Sequence, residues 1–417
     1  MKILSFYGDY KIFLTEKNSA QTPSFSYWDK LSNFVIIIFM KTFCFKLYNS
    51  KKNRRLRRQI HIAGIVYNHC IALYRRYYKL YHKSLKKYQL QKHLVKLKGQ
   101  KKYSYWNEIP SHAIQDITDR IYRAYTMFFS NQKRKVKSSP PKFKKVRKYK
   151  SFSYNMPGKN IISGNVIKLA GGYYKFFKSR EIQGRVKVVT VKRDAVGDIY
   201  VYLVCDVQQE PVEMRTGKSV GFDFGLKTFL TASDGQDINS PYFFMENIKI
   251  IRKKSRNLSS KKEGSNNRER ARKDLARAYR KMDNQRKDFH FKTARRLCEE
   301  YAVICLETLN IKGMAHIWGR KIHSLGFNSF VKILEYEASN LGTRVIFVPQ
   351  YFPSSQLCHA CGYKNKAVKD LKIREWECPF CHTIHDRDKN AAKNILMAVA
   401  SANGGEPVRP VFAGKVC

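Results

Sequence analysis

Acidic residues are scarce in this chain of 417 residues, with 32 Asp and Glu against 81 Lys and Arg, a formal net charge of +49. Such an imbalance repels itself on a folded surface, so the sequence implies a polyanionic partner, and nucleic acid is the obvious one. Long apolar runs are missing as well. The longest, Phe34 to Met40, has seven residues, against the roughly 20 that a membrane-spanning helix needs. It also starts late and lacks the cleavage site of a secretory signal, so no membrane role is expected. A disulfide framework is absent: four of the ten cysteines form two Cys-x-x-Cys pairs, while Cys44, Cys70, Cys205, Cys298, Cys305 and Cys417 are scattered. That usage fits a reducing cytoplasm, with thiols free or on a metal. Apolar residues are not lacking. At 43% hydrophobic and 13% aromatic the chain can build real cores, and its length argues for two to three domains of about 150 residues each.

The charge is unevenly spread. Residues 1–39 carry Lys2, Lys11, Lys17 and Lys30 against Asp9, Glu16 and Asp29, whereas 41–150 hold 31 Lys and Arg against Glu108, Asp116 and Asp119. The shift falls at Met40, which reads either as the end of a loosely attached leader or as the natural start of the protein. Ala63, Val66, Cys70, Leu73, Tyr77 and Leu80 form a helical stripe within 55–91, and Ile114, Ile117, Ile121, Ala124 and Phe128 form another after an N-cap at Ser111. The pattern predicts two antiparallel helices joined by a basic loop. A tract with no acids follows, carrying Lys133, Arg134, Lys135, Lys137, Lys142, Lys144, Lys145, Arg147, Lys148 and Lys150. It cannot pack on itself. Uncompensated cations of this density release counterions on meeting phosphate, so contact with a nucleic-acid backbone is expected over a merely solvated linker. From about 151 to 218 the period becomes two, and a turn at Asp194–Gly197 separates two strand patterns of a small, barrel-like β domain.

Acids appear where apolar patterns should exclude them. Asp223 stands inside Ser219-Val220-Gly221-Phe222-Asp223-Phe224-Gly225, a buried strand pattern, and a buried carboxylate must be paired, hydrogen-bonded or metal-bound. Glu307 ends a second apolar strand pattern, Tyr301 to Leu306, after a long helical pattern over about 267–300. Ligands gather at such strand ends in open α/β sheets. Asp386 and Asp388 stand at the start of a helix with Ala391, Ile395 and Val399 inward. One acid there is a commonplace cap. Acids from two strand ends and a helix start can also converge on two Mg²⁺ (or Mn²⁺) ions for phosphodiester hydrolysis. Cys358-x₂-Cys361 and Cys378-x₂-Cys381, 16 residues apart, have the spacing of a four-thiolate structural Zn²⁺ site. His359, His382 and His385 are then expected at the surface, because a closed four-sulfur shell needs no fifth ligand.

These motifs resemble the TnpB (OrfB) family of insertion-sequence proteins, the compact relatives of type V CRISPR effectors. The resemblance rests on Gly221–Gly225, Leu306–Asn310, Pro353–Gly362 and Cys378 through Ala392, in the family's order and spacing; Lys41-Thr42-Phe43 to Tyr67-Asn68 resembles its usual opening, so the match covers about 40–413. Residues 1–39 have no counterpart, and Glu337 stands where the family commonly carries a basic residue. The resemblance implies a multidomain α/β protein: a leader of uncertain status (1–39), the start of a β-barrel wedge domain with a basic helical insertion (40–150) and the rest of the wedge domain (151–218). An RNase H-like (RuvC) nuclease core (219–350) follows, interrupted by a four-cysteine zinc ribbon (351–385) and completed by a last helix and tail (386–417). It assigns catalysis to Asp223, Glu307 and Asp388, the last preferred over Asp386 by motif position. It implies an RNA-guided DNA endonuclease of a transposable element, with a guide RNA from the element's own end and target double-stranded DNA beside a short flanking motif. No small-molecule substrate is implied, and the protein would act on the prokaryotic nucleoid. The alternatives are an RNA-guided binder that represses transcription and a CRISPR-associated effector with the same chemistry.

Overall fold

The computed structural model describes residues 3–7, 10–13, 37–155, 161–169, 171–209, 212–241, 243–310, 313–314, 316, 319 and 325–402. Most of the expected leader, and the tail with Cys417, lie outside them. The chain forms two compact units, Met1–Glu210 and Pro211–Cys417.

In the first unit β1 (Ile3–Tyr7) and β2 (Tyr10–Phe13) pair antiparallel. A four-stranded antiparallel sheet follows, in the order β3 (Ile37–Lys46), β9 (Ile199–Gln209), β8 (Arg185–Arg193) and β4 (Ser151–Asn155). Three short strands, β5 (Ile162–Ser163), β6 (Val166–Leu169) and β7 (Gly172–Lys175), make a second sheet, and a bridge from Leu47 to Phe176 links β3's end to β7's. Alternating β-branched residues bury Val189 and Val191 on β8 beside Val201 and Leu203 on β9, the half-buried pattern that favours strands. The expected turn is present: one carboxylate oxygen of Asp194 accepts the backbone N–H groups of Val196, Gly197 and Asp198.

Two helices were expected, one within 55–91 and one after Ser111, and the structure has three. These are α1 (Asn53–Tyr81), α2 (Lys87–Lys98) and α3 (Ser111–Lys133), with a 3₁₀ turn over Lys101–Glu108. The break after α1 falls at His82, whose φ of 50° is left-handed and ends the helix. Pro110, rather than Ser111, occupies the N-cap position of α3, because extended backbone suits a proline just ahead of a helix. Asp116 ties α3 to β4. Its carboxylate accepts the Ser153 N–H at 3.0 Å and pairs with Arg120 at 2.8 Å, which satisfies a buried charge that would otherwise destabilise the core.

The second unit is built on a five-stranded mixed sheet in the order β12 (Ile238–Asn239), β11 (Thr228–Ala232), β10 (Ser219–Phe224), β13 (Val303–Glu307) and β14 (Arg344–Val348). β10 runs antiparallel to β11 and parallel to β13, which is parallel to β14. The parallel step from β10 to β13 needs a long crossover, supplied by α4 (Phe243–Ser259) and α5 (Asn266–Glu300). The Ser265 hydroxyl caps α5 by accepting the Arg268 N–H, and ion pairs such as Glu269–Arg272 and Asp283–Lys287 lace its outer face. Next come α6 (Phe327–Leu341), a two-stranded ribbon of β15 (Glu375–Glu377) and β16 (Ile384–Asp386), and α7 (Arg387–Ala402). Ala391, Ile395 and Val399 are buried as the sequence pattern required.

Candidate nuclease and metal sites

β10 carries Asp223 one position beyond the Phe222–Leu306 pair, so Asp223 and Glu307 are next in register at the same end of two parallel strands. Asp388 lies in the first turn of α7. Gly221 lets that helix approach, since a Cβ there would sit 2.3 Å from the Ala392 carbonyl oxygen. The acids feel one another. Burial, then the charges of Glu307 and Asp388, raise the Asp223 carboxyl well above the ordinary carboxylate range, with Arg387 opposing; burial raises Glu307 too. Carboxylates that resist ionisation in this way form a donor set that gains from a cation. Asp388 also meets a cation: its oxygens lie 3.3 and 3.4 Å from the Arg374 guanidinium, an exposed pair. Among the described residues only four cysteines bring three or more potential ligand atoms within 4.8 Å of one another, so the acids are neighbours without being gathered that tightly.

Asp386 has a local job. Its side chain accepts the Lys389 N–H at 2.9 Å, the bond that caps a helix start.

Cys358, Cys361, Cys378 and Cys381 come together. Sγ of Cys358 lies 3.5 Å from that of Cys381, and Cys361 lies 3.6 Å from Cys378. Sulfurs around one tetrahedral zinc with Zn–S near 2.3 Å stand roughly 3.8 Å apart, so the donor set fits that ion. Within the cluster the shifts oppose one another: the Thr383 hydroxyl and N–H lower the Cys381 thiol to about 6, while burial raises that of Cys358. The ribbon's own apolar core is little more than Val368 and Trp376 beside two of the cysteines, too little to fold alone. One expectation fails here. His385 is buried, with Nε2 3.0 Å from Cys358 Sγ, because β16 turns it inward beside Trp376; His382 is exposed, as expected.

Sequence reasoning missed two asparagines. Asn390 donates to the Leu357 carbonyl at 2.6 Å and accepts from the His359 N–H, while Asn394 donates to the Ser354 and Leu357 carbonyls. The pair, four residues apart on one face of α7, fastens the first cysteine knuckle to the helix that carries Asp388. Two polar residues at that spacing beside the Ala391 and Ile395 stripe were the available signal.

The ten predicted cations of the basic tract lie in the first unit; those from 142 to 148 run along α1, where Asn68 and Tyr67 hold the Lys144 and Lys142 backbone.

Comparison with known proteins extends this reading. The family described as "OrfB_IS605: Probable transposase" matches residues 202–317, and "Cas12f1-like, TNB domain" matches 327–395. A "Putative RNA-guided DNA endonuclease" of Streptomyces pristinaespiralis is 34% identical over 53% of this chain and 55% of its own length. The match therefore spans about half of that relative. A second, "Putative RNA-guided DNA endonuclease InsQ" of Escherichia coli (strain K12), is 25% identical over 82% of this chain and 88% of its own. Among solved structures, "Cryo-EM structure of the Cas12f1-sgRNA-target DNA complex" covers 83% of both chains at 15% identity with a TM-score of 0.50, a likeness of fold.

Proposed function

We propose that this chain, a member of the TnpB (OrfB) family, is an RNA-guided DNA endonuclease of a transposable element that hydrolyses phosphodiester bonds at an Asp223–Glu307–Asp388 site. The observation that carries the reading is electrostatic. In a protein of net charge +49, two strand ends and a helix start collect carboxylates whose mutual repulsion and burial hold Asp223 well above its ordinary range. Such a set gains most from divalent cations. Asp223, Glu307 and Asp388 would hold Mg²⁺ or Mn²⁺, which when bound supplies an activated water and stabilises the leaving oxygen. The chain's own part is to fix the carboxylates at one end of the sheet and the start of α7, where a divalent cation relieves their repulsion, and to bring the scissile phosphate in on its basic surface. In this reading the five-stranded sheet with α5 and α7 is the RuvC core, the β3–β9 sheet is the wedge, and 351–385 is a zinc ribbon. The cations of 133–150 meet nucleic-acid backbone. A guide RNA and target DNA beside a short flanking motif are the partners, in the cytoplasm; among the described residues no helix is long and apolar enough to cross a membrane.

The test is to purify the chain with its associated RNA, sequence that RNA, and assay cutting of a matched DNA duplex with Mg²⁺. Cutting that follows the RNA's sequence supports the reading. Cutting that ignores it overturns the guided mechanism, and tight guided binding without cutting selects the repressor instead.

A further inference from the structure

The basic tract is not a free linker. Arg75 donates to the Pro141 carbonyl at 3.1 Å, Tyr67 O–H donates to the Lys142 carbonyl at 3.3 Å, and Asn68 clamps Lys144 twice. In that clamp its amide donates to the Lys144 carbonyl at 2.8 Å and its oxygen accepts the Lys144 N–H at 2.9 Å. Further down the helix Gly64 makes room for the 146–149 turn, since a Cβ there would lie 2.8 Å from Tyr149 Cβ and 3.2 Å from Val146 Cγ1. The contacts run in opposite order along the two segments, 75 to 64 on α1 against 141 to 149 on the tract.

Side chains fix what the backbone bonds begin. The Arg75 guanidinium lies over the Phe143 ring at 4.8 Å, and the Lys144 ammonium lies over Tyr67 at 4.6 Å and Tyr149 at 5.9 Å. Lys142, Lys145, Arg147 and Lys148 remain exposed or half-exposed along the outer side. A segment of such charge density would by itself stay extended and disordered, and ordering it would weaken every contact it made. Here the ordering is done before the ligand arrives.

We propose that Asn68 is a positioning residue that locks 141–149 onto α1 as a preformed cationic rail for a phosphodiester backbone. The proposal rests on the nucleic-acid reading above. Asn68 touches no phosphate; it acts through the tract. The two roles separate by salt dependence. Loss of a contacting cation lowers the slope of log affinity against log salt by about 0.9 per duplex phosphate or about 0.7 per single-strand phosphate. Loss of a positioning residue lowers affinity while leaving the cation count unchanged.

The test uses the full chain in two binding arms, the RNA that copurifies with it and a random-sequence DNA duplex, each titrated at several salt concentrations. Asn68→Ala should weaken binding about tenfold with a near wild-type slope, and the Lys144 amide should lose its protection in hydrogen exchange of the free protein. Lys142→Ala with Lys145→Ala should lower the slope by about 1 to 2 and leave that protection intact. Lys144→Pro removes the clamped N–H as well as the cation, whereas Lys144→Ala removes the cation and keeps the clamp, so the proline variant should bind about tenfold more weakly than the alanine variant at the same slope; this pair decides the matter if Asn68→Ala misfolds. Weakening in the RNA arm alone, the DNA arm alone or both supports the rail and identifies the backbone it holds. Unchanged affinity in both arms, or a lowered slope with Asn68→Ala, overturns the proposal. A wild-type chain that binds neither polymer overturns the nucleic-acid reading itself.

Discussion

Replacing Gly221 by alanine probes how closely α7 must lie on β10 for the carboxylates to work together. The new Cβ would stand 2.3 Å from the Ala392 carbonyl oxygen, 2.8 Å from the Leu396 nitrogen and 3.0 Å from Leu396 Cβ, where ordinary contact begins at 3.4 Å. The two closest atoms are backbone, so no rotamer change relieves them. Strand and helix must part by about 1 Å, an overpacking that costs about 1–3 kcal/mol. Asp388 rides in the first turn of that helix, so the same shift carries it away from Asp223 and Glu307. Misplacement of a reacting group by about 1 Å costs on the order of 100-fold in rate. The assay is single-turnover cutting of a duplex matched to the copurified RNA, beside a thermal melt and RNA and DNA binding. The expected result is a rate lower by about 100-fold and a melt lower by about 2–4 °C for each kcal/mol lost, with binding within about twofold because no cation has moved. Wild-type cutting with an unchanged melt would refute the reasoning, for it would show that the Gly221 contact does not position Asp388.

Asp223→Ala, Glu307→Ala and Asp388→Ala should each abolish cutting while sparing RNA and DNA binding, since each removes a proposed metal ligand without touching the basic surface. Asp386→Ala should retain cutting and lose about 1 kcal/mol of stability, seen in denaturant melts, because it removes only the cap on Lys389 N–H. Elemental analysis should find one zinc per chain, and Cys378→Ser should expose the 362–377 loop to protease while the first unit stays intact. Burial lowers His290 from 6.5 to about 4. The folded chain therefore binds fewer protons than the unfolded one across that window, and stability present above about 6.5 is lost as pH falls toward about 4, by at most about 3 kcal/mol. Denaturant melts of wild type and His290→Phe at several pH values should show this dependence in the first and not in the second.

What was legible in the sequence was local. The apolar run around Asp223, the stripe of α7 and the cysteine spacing each lie within one element or one short loop, where periodicity and ligand chemistry act directly, and all three appear where expected. What was not legible depends on distant partners. Asn68 belongs to the stretch that resembles the family's opening, but its role was not legible there, because its partner Lys144 lies 76 positions away and no local pattern encodes that pairing. His385 follows a cysteine knuckle in a polar stretch, so exposure was the natural expectation. Only the turn of β16 toward Trp376 buries it. The break at His82 was hidden for another reason: Tyr77, Tyr81, Leu85 and Tyr88 recur at steps of three and four, so periodicity alone runs through it.

The net charge of +49 could have been expected to stabilise every carboxylate in the chain, yet Asp223 shifts the opposite way. Range decides the outcome. Charges more than about 10 Å away through solvent are largely screened at physiological salt, so most of the lysines and arginines contribute little at Asp223. Glu307 is next in register on the adjacent strand, and strands lie about 4.8 Å apart. Two like charges about 5–8 Å apart at an effective dielectric near 20 repel by roughly 2–3 kcal/mol, before the cost of burial is added. Arg387 opposes the shift, but it is only one charge against two. A local cluster therefore prevails over a global surplus, and the same short range that raises Asp223 would let a divalent ion placed among the carboxylates reverse the shift, whatever the charge of the distant basic surface.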